Sequence, residues 1–125
     1  MPKDYSRTSR IAELIQQEIA LMLQTEIEDP HLKQITITRV EVTRDLTLAK
    51  IYFSFFNEDD DEKEKTKCLN KAGNFLRYHL ANRIELRITP QLRFIFDAEL
   101  QKTQKLLSLL QSLSPIDKDK TNDES

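Results

Sequence analysis

Glycine is nearly missing from this 125-residue chain, with Gly73 its only instance. Cysteine is equally scarce: a lone Cys68 excludes an intrachain disulfide, so the fold must stand on its core. There is no tryptophan and aromatics make up only 7% of the residues, which points to an aliphatic core. No apolar run approaches the length of a membrane span, and Met1-Pro2-Lys3-Asp4-Tyr5 is polar where a secretory signal needs an apolar stretch. These absences predict a cytoplasmic protein in a reducing compartment, with no membrane association. Catalytic groupings are lacking too. Cys68, His31 and His79 are scattered, and no spacing pairs a nucleophile with a base or assembles a metal-ligand set. The sequence therefore predicts no enzyme, no bound metal and no cofactor.

A formal net charge of −2 argues weakly against a nucleic-acid binder, but the charge is unevenly spread. Glu58-Asp59-Asp60-Asp61-Glu62 is an acidic run, whereas Cys68 to Phe96 holds Lys71, Arg77, Arg83, Arg87 and Arg93 against Glu85 alone. Lys3, Arg7 and Arg10 form a second basic group. Arginine binds phosphate through paired hydrogen bonds and stacks on exposed bases, so the basic segments are the candidate contacts, although a single arginine on a helix is usually just solvated.

Ile11, Leu14, Ile15, Ile19, Met22 and Leu23 recur at helical spacing, with Ser6, Thr8 or Ser9 as candidate caps and Glu28-Asp29-Pro30-His31 as the stop. Ile35-Thr36-Ile37-Thr38 then alternates, slips in phase at Arg39 and resumes at Val40 and Val42, which predicts a bulged strand. Thr43-Arg44-Asp45-Leu46 reads as a turn into a second strand, with Ala49, Ile51, Phe53 and Phe55 on its inner face. After the acidic run, which suits a helix N-terminus, a helical segment extends to Asn82 or Arg83. Leu86, Ile88, Leu92, Phe94 and Phe96 are placed on one face of a third strand interrupted by Pro90; the helical crossover before it allows parallel pairing. Glu99 to Leu113 carries Leu100, Leu106, Leu107, Leu109, Leu110 and Leu113, which suits a short closing helix or a partner-facing one, burial being the commoner fate of such a stripe. The polar stretch 114–125 is read as a disordered tail beyond a single domain, 1–113.

Gly73 interrupts the second long helical segment on the same face as Leu69, Leu76 and Leu80. Glycine inside a helix costs about 1 kcal/mol relative to alanine, so either close packing or backbone geometry should explain it. With Asn74 beside it, a residue that tolerates left-handed geometry, the run reads as helix, kink, second helix.

The resulting order is an α+β arrangement: helix, strand, strand, kinked helix pair, strand, C-terminal helix. It resembles the bacterial type of KH domain, an RNA-binding module. More specifically, the chain resembles the ribosome-binding factor A family, through Glu28-Asp29-Pro30, Val42-Thr43-Arg44-Asp45-Leu46 with Ala49-Lys50, and Arg87-Ile88-Thr89-Pro90-Gln91-Leu92-Arg93-Phe94-Ile95-Phe96-Asp97. That family replaces the glycine-rich KH loop with a kink of pattern Ala, any residue, Gly; Ala72-Gly73-Asn74 corresponds to it, with glycine one place early. The resemblance implies a monomeric assembly factor that binds the free small (30S) ribosomal subunit, assists maturation of the 5′ region of its 16S rRNA and performs no covalent chemistry. RNA contacts are expected from Lys3, Arg7, Arg10, Asn74, Arg77, Arg83 and Arg87. The competing readings are a general single-stranded RNA binder and a protein-interaction module. Alanine at Arg77 and Arg83 is expected to weaken RNA binding and leave the fold intact.

Overall fold

The helical spacing of Ile11 to Leu23 produces α1 (Lys3–Thr25) in the computed structural model, which describes residues 3–55 and 61–113, with side chains from Arg7 onward. Ser6, Thr8 and Ser9 lie inside α1 and do not cap it. Nothing between Lys3 and Ile11 breaks a helix, so the helix runs through the expected caps. Pro30 acts as a starter as well as a stop. It opens a single turn, α2 (Pro30–Lys33), because Asp29 accepts a hydrogen bond from His31 N–H (3.0 Å) and proline needs no partner at the first helical position. Lys33 Nζ donates to Gln24 O and Gln24 Nε2 to Lys33 O, at 3.2 and 3.1 Å, which ties α2 back to the end of α1.

Strands β1 (Ile35–Val42) and β2 (Leu48–Phe55) form the antiparallel hairpin, and β3 (Gln91–Phe96) lies parallel to β2 on its other side, giving the order β1-β2-β3. The phase slip at Arg39 is a bulge: Ile37 pairs with Phe53 and Arg39 with Tyr52, so Thr38 is the extra residue. Ile35 and Ile37 are buried before it, and Val40 and Val42 are half-buried after it. In the turn, Leu46 takes φ 63°, a left-handed conformation filled here without glycine. Asp45 holds that turn by accepting from Thr43 Oγ1 and Thr47 Oγ1, both at 2.8 Å, and from Thr47 N–H at 3.2 Å. These donors, led by the Thr47 hydroxyl, hold its carboxyl below the ordinary value.

Ala49, Ile51 and Phe53 of the central strand are fully buried under Ile15, Ile19, Met22 and Leu23 of α1 and Leu69, Leu76 and Leu80 of α3 (Glu62–Arg83). Two helices thus cover one sheet face, and the core lies between the layers. Asp61 caps α3 by accepting from Lys63 N–H at 3.1 Å, with Glu62 and Glu64 in the first turn. Glu58 to Asp60, the rest of the acidic run, fall outside the described residues. Lys65, almost fully buried, donates from Nζ to His31 O at 2.7 Å and joins α3 to α2.

The expected pair of helices is one. α3 continues through Ala72, Gly73 and Asn74 without a break in its helical backbone, and neither Gly73 nor Asn74 has positive φ. The close approach expected at Gly73 is also absent: a Cβ added there meets nothing within 4 Å. Leu69, Leu76 and Leu80 lie within about 40° of one another around a regular 3.6-residue helix. Their shared packing holds the segments on both sides of the glycine in one helical phase.

Two further expectations change. Leu86 and Ile88 precede β3, because Thr89 O and Pro90 O are taken by Arg77 and proline has no N–H; the ladder starts with Gln91 N–H donating to Thr47 O at 2.9 Å. The leucine stripe of α4 (Ala98–Leu113) is not buried: Leu106, Leu107, Leu109, Leu110 and Leu113 are each more than half exposed. α4 is held at its start, where Asp97 accepts from Leu100 N–H (3.1 Å) and Thr38 Oγ1 (2.7 Å), with Arg39 Nε 3.8 Å away. Burial alone would raise the Asp97 carboxyl; the Thr38 and Leu100 donors and the Arg39 charge outweigh it and hold the carboxyl below its ordinary value. Beyond that anchor, a cleft of about 740 Å³ lies between α4 and Thr36, Thr38, Ser54 and Phe55 of the sheet. The stretch 114–125 lies outside the described residues.

Candidate nucleic-acid interface

From Lys65 to Ile84 the chain contains no carboxylate, so apart from its first turn α3 carries charge of one sign. A helix with 3.6 residues per turn then divides that charge between faces. Lys67, Lys71, Asn74 and Tyr78 lie opposite Leu69, Leu76 and Leu80, and all four are exposed. Among the described residues neither Lys67 nor Lys71 has an ion-pair partner. Phe75 sits at the edge of this face, 42% exposed, and Tyr78 stands out from it at 67%. The ring of His79 is 4.3 Å from that of Phe75 and 5.3 Å from that of Tyr78, centroid to centroid, so the three rings form one cluster.

Arg77 is partly buried between α3 and the approach to β3. Its Nε donates to Pro90 O at 3.1 Å and its Nη2 to Thr89 O at 2.8 Å, which fixes the guanidinium plane and leaves Nη1 available. With Asn74, Tyr78, Ala81 and Thr89 it lines a shallow cleft of about 390 Å³. Ala72 turns instead toward the core, half-buried against it.

A second cleft, of about 580 Å³, gathers Arg7, Arg10 and Arg83 between α1 and the α3–β3 connection. Arg7 and Arg10 are exposed. Arg83 donates from Nη1 to Glu18 Oε1 at 3.1 Å and from Nη2 to Glu26 Oε2, clamping the end of α3 to α1. Arg87 is exposed in the connection, with no hydrogen-bond or ion-pair partner among the described residues. Lys3 opens α1, and its side chain is outside the described set.

The structure thus brings Asn74 and Arg77 to one cleft and Arg7, Arg10 and Arg83 to another; Arg87 lines neither, although it follows Leu86 of the second. Arg77 and Arg83, whose alanine variants are expected to keep the fold, each also spend donors on a tertiary contact, so their substitution perturbs stability as well as binding. Lys67, Phe75 and Tyr78 were not among the residues expected from sequence. Their signal was available in the helical phase: they fall away from the leucine stripe in a stretch without acids. Among the described residues no group of His, Cys, Asp and Glu is placed to hold a metal, and no helix is long and apolar enough to cross a membrane.

Comparison with known proteins gives a consistent result. The sequence model of the family described as Ribosome-binding factor A matches residues 7–110. A ribosome-binding factor A from Nitrosococcus oceani is 36% identical over 125 residues, covering 100% of this chain and 98% of that protein. The crystal structure of ribosome-binding factor A from Thermus thermophilus superposes with a TM-score of 0.64 at 25% identity, over 70% of this chain and 93% of that one. A homology model of the Thermus thermophilus protein, fitted into a cryo-EM map of a 30S–RbfA complex, superposes with a TM-score of 0.56 at 26% identity, over 66% of this chain and 87% of that one.

Proposed function

The chain belongs to the ribosome-binding factor A family, and from that membership we propose that it binds the free small (30S) ribosomal subunit as an assembly factor and assists maturation of the 5′ region of the 16S rRNA. The observation that carries this reading is the family match across residues 7–110, which takes in both basic clefts, together with a structural relative fitted on a 30S particle. The protein acts as a monomer in the cytoplasm. It makes no covalent change in the RNA. Arg7 and Arg10 supply phosphate contacts at the cleft they share with Arg83; Arg87 and Lys3 add further positive charge, and Asn74 and the free edge of Arg77 supply contacts at the smaller cleft. Arg83 supports these contacts by holding α3 to α1.

A binder without chemistry works by differential affinity. If it holds one conformation of the precursor more tightly than another, it shifts the population toward that conformation by the ratio of the two affinities. The test is complementation of a bacterial strain lacking its own family member, with the 5′ end of 16S rRNA mapped by primer extension. Restoration of the mature end supports the reading. Accumulation of 5′-extended precursor at the level of the deletion strain, with the protein expressed and folded, contradicts it.

A further inference from the structure

The proposed function asks for phosphate contacts, yet α3 also exposes a large aromatic side chain. Tyr78 is 67% exposed, and its ring packs on that of His79, which in turn packs on Phe75. The core is filled without these rings, so they form a contiguous aromatic cluster that lies outside it. Along α3 the charge between Lys65 and Ile84 is entirely positive: Lys67 and Lys71 share the exposed face with Tyr78, and the nearest acids along the chain are Glu64 and Glu85. An aromatic surface flanked by unpaired cations fits an unpaired nucleotide, whose base offers a π face and whose phosphates offer charge. It fits a duplex poorly, since the base faces of a duplex are hidden in the stack.

Resting on the small-subunit reading above, we propose that Tyr78 is a stacking platform for an unpaired base of the rRNA. Asn74 lies one turn away in the same cleft and is positioned to hydrogen-bond the base edge, while Lys71 neutralises the adjoining phosphate. His79 and Phe75 support the platform from the side by holding the Tyr78 ring in place. This gives the exposed face of α3 a role separate from the arginine contacts: it selects RNA that is unpaired at one position, and so it distinguishes an immature fold from a paired one.

Because Tyr78 is exposed, its substitution leaves the core untouched, and unchanged melting temperatures of the variants verify this. The experiment measures dissociation constants for isolated small subunits at several salt concentrations for wild type, Tyr78→Ala, Tyr78→Phe and Lys71→Ala. Loss of one base stack weakens Tyr78→Ala by about 5- to 100-fold at every salt concentration, with an unaltered salt slope, whereas Tyr78→Phe stays within about twofold of wild type. Lys71→Ala lowers the salt slope by about 0.7 to 0.9. A photo-crosslinking amino acid at position 78 is expected to attach to rRNA at an unpaired nucleotide. Binding of Tyr78→Ala within twofold of wild type overturns the proposal, as does a loss in Tyr78→Phe equal to that in Tyr78→Ala, or crosslinking to a ribosomal protein. If wild type itself does not bind small subunits, the functional reading fails first, and that outcome is distinct from wild-type binding that is indifferent to residue 78.

Discussion

Replacing the only glycine should make this protein more stable. Gly73 has helical backbone with no positive φ, and a Cβ there meets nothing within 4 Å. Gly73→Ala therefore introduces no clash and gains no packing, which leaves helix propensity as the only large term. That difference is about 0.8 to 1.0 kcal/mol in favour of alanine, arising mostly from the backbone freedom that glycine loses on folding. For a chain of this size the gain raises the melting temperature by about 3 to 5 °C, and it moves a urea midpoint by roughly 0.5 M. Asn74→Gly, which carries glycine to the family's position, should cost a few tenths of a kcal/mol, so the double variant stays slightly above wild type. Thermal and urea unfolding followed by circular dichroism measure both. Destabilisation of Gly73→Ala by about 1 kcal/mol or more would mean that residue 73 needs a conformation or a close neighbour that an unbroken α3 does not supply.

Other perturbations separate structural from binding roles. Arg77→Ala strands the bonds to Thr89 O and Pro90 O and should cost about 2 to 3 kcal/mol by urea unfolding, which makes it a poor binding probe on its own. Arg87→Ala should leave the unfolding midpoint unchanged and reduce the salt slope of small-subunit binding by about 0.7 to 0.9. Asp97 has a folded-state carboxyl held below its ordinary value of 3.8, so its contribution is complete above that value and is lost as the pH falls through the lower folded value. Limited proteolysis should accordingly find α4 released in acid, with Asp97→Asn showing a weaker dependence on pH over the same range.

Much of the fold was legible in the sequence because core residues repeat at the period of their element. Ile15 to Leu23, Ala49-Ile51-Phe53 and Leu69-Leu76-Leu80 each announced a buried face, and the slip at Arg39 announced the bulge. What the residues did not disclose was set by tertiary context. Gly73 suggested two helices, but α3 runs through it as one, with leucines on either side of it packed into the same core. The α4 stripe suggested burial, but a cleft lies between α4 and Thr36, Thr38, Ser54 and Phe55 of the sheet. The arginines suggested a binding surface, and nothing local revealed that Arg77 and Arg83 are partly consumed by carbonyls and carboxylates 12 and 65 positions away. The position of Tyr78 opposite the leucine stripe is legible in the helical phase, but how far its ring stands out of the surface is set by the packing around it.

As proposed, the protein recognises the free small subunit selectively, through a surface that is only locally basic. The most direct test is co-sedimentation of the purified protein with isolated small subunits, isolated large subunits and joined ribosomes at two salt concentrations. The account predicts retention on small subunits alone, weakening as salt rises. Equal retention on all three particles, or on none of them, would contradict it.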